Sequence, residues 1–212
     1  MEFTQASKSY YLDRSTYINL RWIAIIGQFI TINSVKFLLE FEFPYLLSNI
    51  IILFGILSNL YLYHFDINPQ ISNKSSFIYL LIDIFQLSIL LYLTGGVLNP
   101  FSIFLIIPSI FSSSNLNIKT NLTLITITLI IIVFLTFFSY DIPYPINEKL
   151  KIDEYYYFSI PLSLIVALIF LNYFAITFGK ESRLRKEALD KIQEVIAKEH
   201  ELVSLGGQAA AA

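Results

Sequence analysis

The chain alternates between long apolar runs and short polar connectors over most of its length. Most of the runs are about 17–22 residues long, the length at which an α-helix crosses about 30 Å of hydrocarbon. The pattern predicts six transmembrane helices, at residues 18–39, 44–63, 77–93, 101–116, 122–140 and 157–178. We therefore expect an all-α polytopic membrane protein, with a cytoplasmic N-terminal segment at 1–17 and a membrane domain at 18–178.

The fourth run is short and contains Pro108, so its length leaves a re-entrant segment open. The distribution of Lys and Arg decides between a re-entrant segment and a full crossing, because loops rich in these residues stay in the cytoplasm. Six crossings place on one side Lys8, Arg14, Arg21, Lys74, Lys119, Lys180, Arg183, Arg185 and Lys186, and on the other Lys36, Lys149 and Lys151. This asymmetry favours six helices with both termini cytoplasmic, and it puts the turn at 95–101 on the opposite side.

Residues 179–212 have a different character, with apolar residues spaced by three and four positions among charges. The stripe contains the apolar residues Leu189, Ile192, Ile196 and Val203, with Glu199 and Gly206 at the remaining positions. Glu187–Lys191 and Glu194–Lys198 are favourable i,i+4 pairs with Glu leading. The pattern predicts a signalling helix that continues the sixth span and forms a coiled-coil homodimer. A solvated amphipathic helix is the alternative.

Composition excludes several kinds of chemistry. The chain is 56% hydrophobic and 14% charged, whereas soluble domains have about 25% charged residues. It has no cysteine, so thiol catalysis is excluded, and its two histidines, His64 and His200, are too far apart to suggest a metal site. No phosphate-binding loop or nucleophile–base pattern is present, so we assign no catalytic residue, no metal and no direct contact with nucleic acid.

Asp83 is the most informative polar residue within a span. An ionisable side chain in hydrocarbon usually faces the bundle interior and is by default a candidate functional group. Gln86 lies three residues further on the same helical face. Arg21 and Trp22 stand at the predicted start of the first span, where they are expected to act as interfacial anchors. Asp83 and Gln86 form either a supporting polar site or a structural interhelical hydrogen bond.

The turn after the third span reads Gly-Gly-Val-Leu-Asn-Pro-Phe at residues 95–101. Glycine permits backbone conformations that other residues resist, and Pro100 favours extended geometry at Asn99. By themselves these residues describe a tight interhelical turn.

The same residues fit the G-G-x-x-N-P-F heptapeptide of the RegB/PrrB (ActS) redox-sensing histidine kinases, which the chain resembles over nearly its whole length. Asp83-x-x-Gln86-Leu87 resembles the third span of that family, and Leu20-Arg21-Trp22 with Gly27-Gln28 resembles its first span. The ending at 205–212 resembles the alanine-rich helix that precedes the family's phospho-accepting histidine.

The resemblance implies the sensor portion of a two-component histidine kinase in the bacterial inner membrane. It implies ubiquinone as the sensed ligand, with a quinone site at Gly95, Gly96, Asn99, Pro100 and Phe101. It also implies a homodimer and a cognate response regulator. The phospho-histidine, the ATP-binding domain and the family's redox-active cysteine are missing from this sequence, so we expect a chain cut before its kinase core that does not autophosphorylate.

Two other functions remain open from the residues. In a small transporter or a quinone-linked membrane enzyme subunit, Asp83 would carry a proton or an ion. In a structural membrane module, the chain would only dimerise. A terminal linker is likewise an alternative reading of residues 205–212.

Overall fold

The structure is a computed structural model that describes residues 12–65, 68–145 and 153–211. Its helices are α1 (Arg14–Phe37), α2 (Tyr45–Phe65), α3 (Asn73–Leu93), α4 (Ile107–Asn115), α5 (Ile118–Phe137) and α6 (Glu154–Ala211). Two 3₁₀-helices, Gly96–Leu98 and Pro100–Ile106, lie between α3 and α4, and the short strands β1 (Leu12–Asp13) and β2 (Gln70–Ile71) pair antiparallel. The predicted all-α polytopic membrane fold is confirmed. Lys8, Lys149, Lys151 and Ala212 lie outside the described residues.

Five helices in the described ranges are long and apolar enough to cross a membrane, whereas the apolar stretch Pro100–Ser113 is shorter. This stretch belongs to the fourth segment, residues 100–115, in which the 3₁₀-helix Pro100–Ile106 runs directly into α4. A 3₁₀-helix rises about 2.0 Å per residue and an α-helix about 1.5 Å, so the segment extends about 27 Å. That length approaches the hydrocarbon thickness of about 30 Å, which explains how so few residues can cross.

Contacts between loops show that the fourth segment runs from one side of the bundle to the other. At its start, the Tyr140 N–H after α5 donates to the Tyr92 carbonyl at the end of α3. At its end, the Asn117 N–H donates to the side chain of Asn73 at the start of α3, over 3.1 Å. The two ends of the segment therefore lie at opposite ends of α3. We call the side with the 94–99 turn the turn side and the other the terminal side.

The first helix begins earlier than the apolar pattern suggested. Asp13 caps α1 by accepting a hydrogen bond from the Thr16 N–H at 2.8 Å, so the helix starts at Arg14. Arg21 consequently lies two turns inside α1 and is 5% exposed. The prediction that Arg21 is an interfacial anchor is wrong, because the helix start is displaced from the start of the apolar run. Arg14 lies at the helix end and donates to the carbonyls of Leu62 and Tyr63.

The last helix, α6, is continuous over 58 residues, from the sixth span into the charged region. The predicted Glu194–Lys198 pair is formed at 2.7 Å, and Arg185 pairs with Glu181 at 2.6 Å. The main apolar core joins α3, α5, α6 and the fourth segment with Tyr17 and Ile18 of α1 and Leu62 of α2. A smaller cluster joins other residues of α1, α2 and α3. Many large apolar side chains face outward, as expected where lipid is the solvent.

Candidate functional site

A cavity of about 650 Å³ lies between α1, α3 and the fourth segment. Its walls are mostly apolar, and a small number of polar side chains reach it from α1, α3 and the 94–99 turn. Ile23 on α1 and Phe104 and Ile107 on the fourth segment line it and are 69%, 47% and 51% exposed, so the cavity is open along the gap between these two elements. Its size and lining are those of small-molecule sites.

The end of the cavity nearest the terminal side holds an ion pair. Arg21 Nη2 on α1 lies 2.8 Å from Asp83 Oδ1 on α3, and Arg21 Nε donates to the same oxygen. The Tyr17 hydroxyl donates to Asp83 Oδ2. Arg21 also donates to Ser58 Oγ and Asn59 Oδ1 on α2. Asp83 thus forms the structural interhelical hydrogen bond that was one of the two roles predicted for it, and it also lines the cavity.

One to two turns further along the same helices, two amides form a pair. Gln86 Nε2 on α3 donates to Gln28 Oε1 on α1 at 2.8 Å. Within the described part of the chain, Gln86 Oε1 and Gln28 Nε2 have no hydrogen-bond partner, and both residues line the cavity. Gly55 on α2 stands behind the pair, and a Cβ there would meet the Gln86 amide at 3.5 Å. Among the described residues, the pair therefore leaves one carbonyl oxygen and one amino group without a protein partner in the lining of the cavity.

The turn-side mouth of the cavity is built by Asn99, whose amide is fully engaged in the turn. Asn99 Nδ2 donates to the carbonyl and the hydroxyl of Thr94, each at 2.8 Å. Its Oδ1 accepts from the Phe101 N–H at 2.9 Å, which caps the 3₁₀-helix. Thr94 in turn donates to the Leu90 carbonyl. Asn99 fixes the shape of the mouth and has no donor left for a ligand.

The two glycines of the turn permit close packing of the connection after α5. Gly95 and Gly96 have φ angles of 108° and 59°, which side chains disfavour. A Cβ at Gly96 would lie 2.5 Å from Ser139 Oγ, and one at Gly95 would lie 2.6 Å from Ile142 Cγ1. Neither glycine lines the cavity, so both contribute to the site by holding the turn against residues 135–142.

Aromatic rings cover the wall formed by the fourth segment. Phe101 and Phe104 stack with ring centroids 6.0 Å apart, and both line the cavity. Phe111 stacks on Tyr17 at 5.9 Å near the ion pair. A flat apolar ring therefore finds aromatic surface along this wall.

A family model for the PilS-like transmembrane domain matches residues 16–187. The chain belongs to this family. Sensor histidine kinase RegB of Cereibacter sphaeroides is 28% identical over 198 residues, which cover 93% of this chain and 43% of RegB. The chain thus spans less than half the length of this curated relative. No solved structure gives a significant match. These findings confirm the predicted resemblance to the membrane region of RegB/PrrB-type sensors.

In this PilS-like domain, most of the site residues predicted from the sequence line one cavity. Asp83, Gln86, Asn99, Pro100 and Phe101 all line it. They do not form one contact point, because Asp83 and Thr94 are eleven positions apart along α3, which corresponds to about 16 Å. The described residues contain no group of three His, Cys, Asp or Glu side chains suited to a metal.

Three further residues line the cavity without having been predicted from the sequence as site residues: Tyr17, Arg21 and Gln28. The signal for α1 was available in Asp13, a preferred N-cap residue directly before Arg14. Starting the helix there places Arg21 two turns inside α1, and Gln28, seven residues further on, lies on the same helical face.

A second polar cluster joins α4, α5 and α6 away from the cavity. Asn172 on α6 is 2% exposed; it donates to Ser109 Oγ at 3.1 Å and accepts from Ser113 Oγ at 2.5 Å. Ser113 Oγ also lies 3.1 Å from Asn121 Oδ1 on α5. Within the part of the chain that is described, Ser112 Oγ and Asn121 Nδ2 are buried without a hydrogen-bond partner. This cluster links the fourth segment to the helix that leaves the membrane.

Proposed function

We propose that this domain is the membrane sensor portion of a two-component histidine kinase, and that it responds to the redox state of the membrane quinone pool. The observation that carries the proposal is the cavity between α1, α3 and the fourth segment, with its apolar walls, aromatic surface and few polar groups. A quinone head group needs hydrogen-bonding groups for its oxygens and an apolar surface for its ring. Its isoprenoid tail needs a route into lipid.

The cavity meets each of these needs. Phe101 and Phe104 offer stacked rings at the turn-side mouth. The gap between α1 and the fourth segment, bordered by half-exposed apolar side chains, gives the tail an exit to lipid. The similarity to RegB, a sensor histidine kinase, supports the assignment of the domain to this class. Ubiquinone is the ligand we propose, in the bacterial inner membrane.

The fourth segment supplies a route from the cavity to α6. Pro108 and Phe111 line the cavity, whereas Ser109 and Ser113, on another face of the same helix, contact Asn172. A ligand shifts a conformational equilibrium only by its difference in affinity for the two states. Quinone binding would therefore act by favouring one position of the fourth segment against α6.

The long α6 carries that change out of the membrane. We propose that its extension pairs with a second copy in a cytoplasmic coiled coil and leads to an ATP-dependent kinase core, whose partner is a response regulator. Both termini would then be cytoplasmic. The exposed apolar stripe at Leu189, Ile192 and Ile196 suits this pairing.

Quinone binding can be measured with Trp22, the single tryptophan, which lies between two cavity-lining residues of α1. The purified chain in lipid nanodiscs is titrated with decylubiquinone, and we expect saturable quenching of Trp22 fluorescence. Phe101→Ala removes a ring from the cavity wall and is expected to weaken binding about three- to tenfold. Phe170→Ala, an exposed ring on α6 outside the cavity, is the matched control. Quenching by wild type that rises linearly without saturation would refute the proposal.

A further inference from the structure

The cavity is longer than a quinone ring, so a ring oxygen must find its hydrogen-bonding partner at one place within it. Asp83 and Thr94 mark its two ends along α3, about 16 Å apart for eleven residues of helix. The candidates are the ion pair, the turn-side mouth and the amide pair between them.

Both ends of the cavity have their hydrogen-bonding groups engaged by the protein. At the mouth, Asn99 donates to Thr94 and Thr94 donates to Leu90. At the other end, Arg21 and Tyr17 donate to Asp83. A ligand oxygen at either end would compete with these existing hydrogen bonds, and at the ion pair it would weaken the contact that balances a charge in apolar surroundings.

The amide pair is different, because Gln86 Oε1 and Gln28 Nε2 have no partner within the described residues. One is an acceptor and the other a donor, and the two amides are joined by a 2.8 Å hydrogen bond. A ligand that hydrogen bonds to these two groups does not have to displace another hydrogen-bond partner of either group.

We infer that the Gln28–Gln86 amide pair is the group that recognises a ring oxygen of the quinone, and that the heptapeptide turn forms the mouth without hydrogen bonding to the ring. The inference rests on the proposed function, since it assigns the polar contact within the same cavity.

The pair can hold the ligand in both redox states. A quinone carbonyl accepts a hydrogen bond from Gln28 Nε2. A hydroquinone hydroxyl accepts that hydrogen bond and also donates to Gln86 Oε1. The two redox states therefore differ by one hydrogen bond at this position, and their affinities are expected to agree within about tenfold. That difference gives the site a means of distinguishing them.

Isosteric removal of each amide tests the inference. Gln28→Met and Gln86→Met keep the length of the side chain and remove its hydrogen-bonding groups. Decylubiquinone titrations of the full chain in nanodiscs, followed by Trp22 quenching, are expected to show about five- to tenfold weaker binding for Gln28→Met, which removes the donor to the quinone carbonyl. Competition with the reduced form under anaerobic conditions should show a similar loss for Gln28→Met and also for Gln86→Met, which removes the acceptor of the hydroquinone hydroxyl. Gln193→Met, on the exposed part of α6, is the matched control and should bind as wild type does.

The outcomes distinguish a failure of the proposed function from a failure of the inference about the amide pair. No saturable binding by wild type would overturn the proposed function, and this inference with it. Saturable binding by wild type with unchanged affinity in both glutamine variants would overturn only the inference, and would return recognition to the turn. If a methionine variant shows lower helicity, Gln28→Asn repeats the test. Its side chain is one methylene shorter, so its amide lies further from Gln86. Unchanged quinone affinity in Gln28→Asn also overturns the inference.

Discussion

Arg21 on α1 and Asp83 on α3 form an ion pair of 2.8 Å, with exposed side-chain fractions of 5% and 22%. α1 otherwise packs mainly against α2, so this pair helps to fix α1 beside the cavity. Asp83→Asn leaves the Arg21 charge without a counter-charge, and we expect it to lower the free energy of unfolding by about 3–5 kcal/mol. Thermal unfolding of the detergent-solubilised chain, followed by helical circular dichroism, measures this loss.

The double variant Arg21→Met/Asp83→Leu distinguishes the stability contributed by the ion pair from the cost of leaving one charge unpaired. Apolar side chains of similar size need no counter-charge, so we expect the double variant to recover most of the stability lost in Asp83→Asn. Losses from Arg21→Met and Asp83→Leu that simply add in the double variant would mean that the two side chains do not interact energetically.

Gly96 is expected to be intolerant of any side chain. Gly96→Ala places a residue with Cβ at a φ of 59° and brings that Cβ within 2.7 Å of the Leu135 carbonyl oxygen. The left-handed conformation and the overlap together are expected to cost at least about 2 kcal/mol. Gly27→Ala is the control, because its Cβ meets nothing within 4 Å and alanine favours helix. Equal melting temperatures for the two variants would contradict the assignment of Gly96 to tight packing.

Asn172 is expected to matter for stability and for transmission without affecting ligand affinity. Asn172→Leu removes its hydrogen bonds to Ser109 and Ser113, at an expected cost of about 1–2 kcal/mol. Because Asn172 does not line the cavity, decylubiquinone affinity should be unchanged. Asn49→Leu is the control, since the Asn49 amide donates to the Tyr45 carbonyl of its own helix. A large loss of quinone affinity in Asn172→Leu would show that the two polar clusters are not separate in function.

The extension of α6 is expected to mediate self-association. Ile192 and Ile196 are 55% and 47% exposed in the single chain, and a charge at either position would be buried in a coiled coil. Ile192→Asp and Ile196→Asp should shift the chain in nanodiscs or detergent from dimer to monomer, as measured by light scattering. Gln193→Asp, next to the stripe, should remain dimeric. A monomeric wild type would refute the predicted coiled coil.

The order of the spans was predictable because hydrophobic length and charge asymmetry are properties of local sequence. The fourth segment shows the limit of that reasoning. Its length alone suggested a re-entrant loop, and the charges favoured a crossing. The structure adds that the 3₁₀ conformation of Pro100–Ile106 extends it, which apolar periodicity does not reveal.

Contacts between residues of different spans were harder to predict from the sequence. Asp83 was identified because a carboxylate is conspicuous in an apolar run, but its partner Arg21 was assigned to the interface from the position of the run. Asn172 was missed because a single amide in a long apolar helix gives a weak signal. Its role depends on serines 63 and 59 residues earlier in the chain. Asn99 was assigned to the quinone site from the resemblance, and only the local geometry shows that Thr94 accepts both N–H groups of its amide.

The 3₁₀-helix Pro100–Ile106 is wound more tightly than an α-helix, so a change in its winding would alter the length of the fourth segment. Each residue that changes from 3₁₀ to α geometry shortens the segment by about 0.5 Å and turns it by about 20°, so all seven together would shorten it by about 3.5 Å and turn it by about 140°. Ser109 and Ser113 follow directly after this stretch and contact Asn172. A change in the winding of one short stretch beside the cavity would thus become a screw-like displacement at α6.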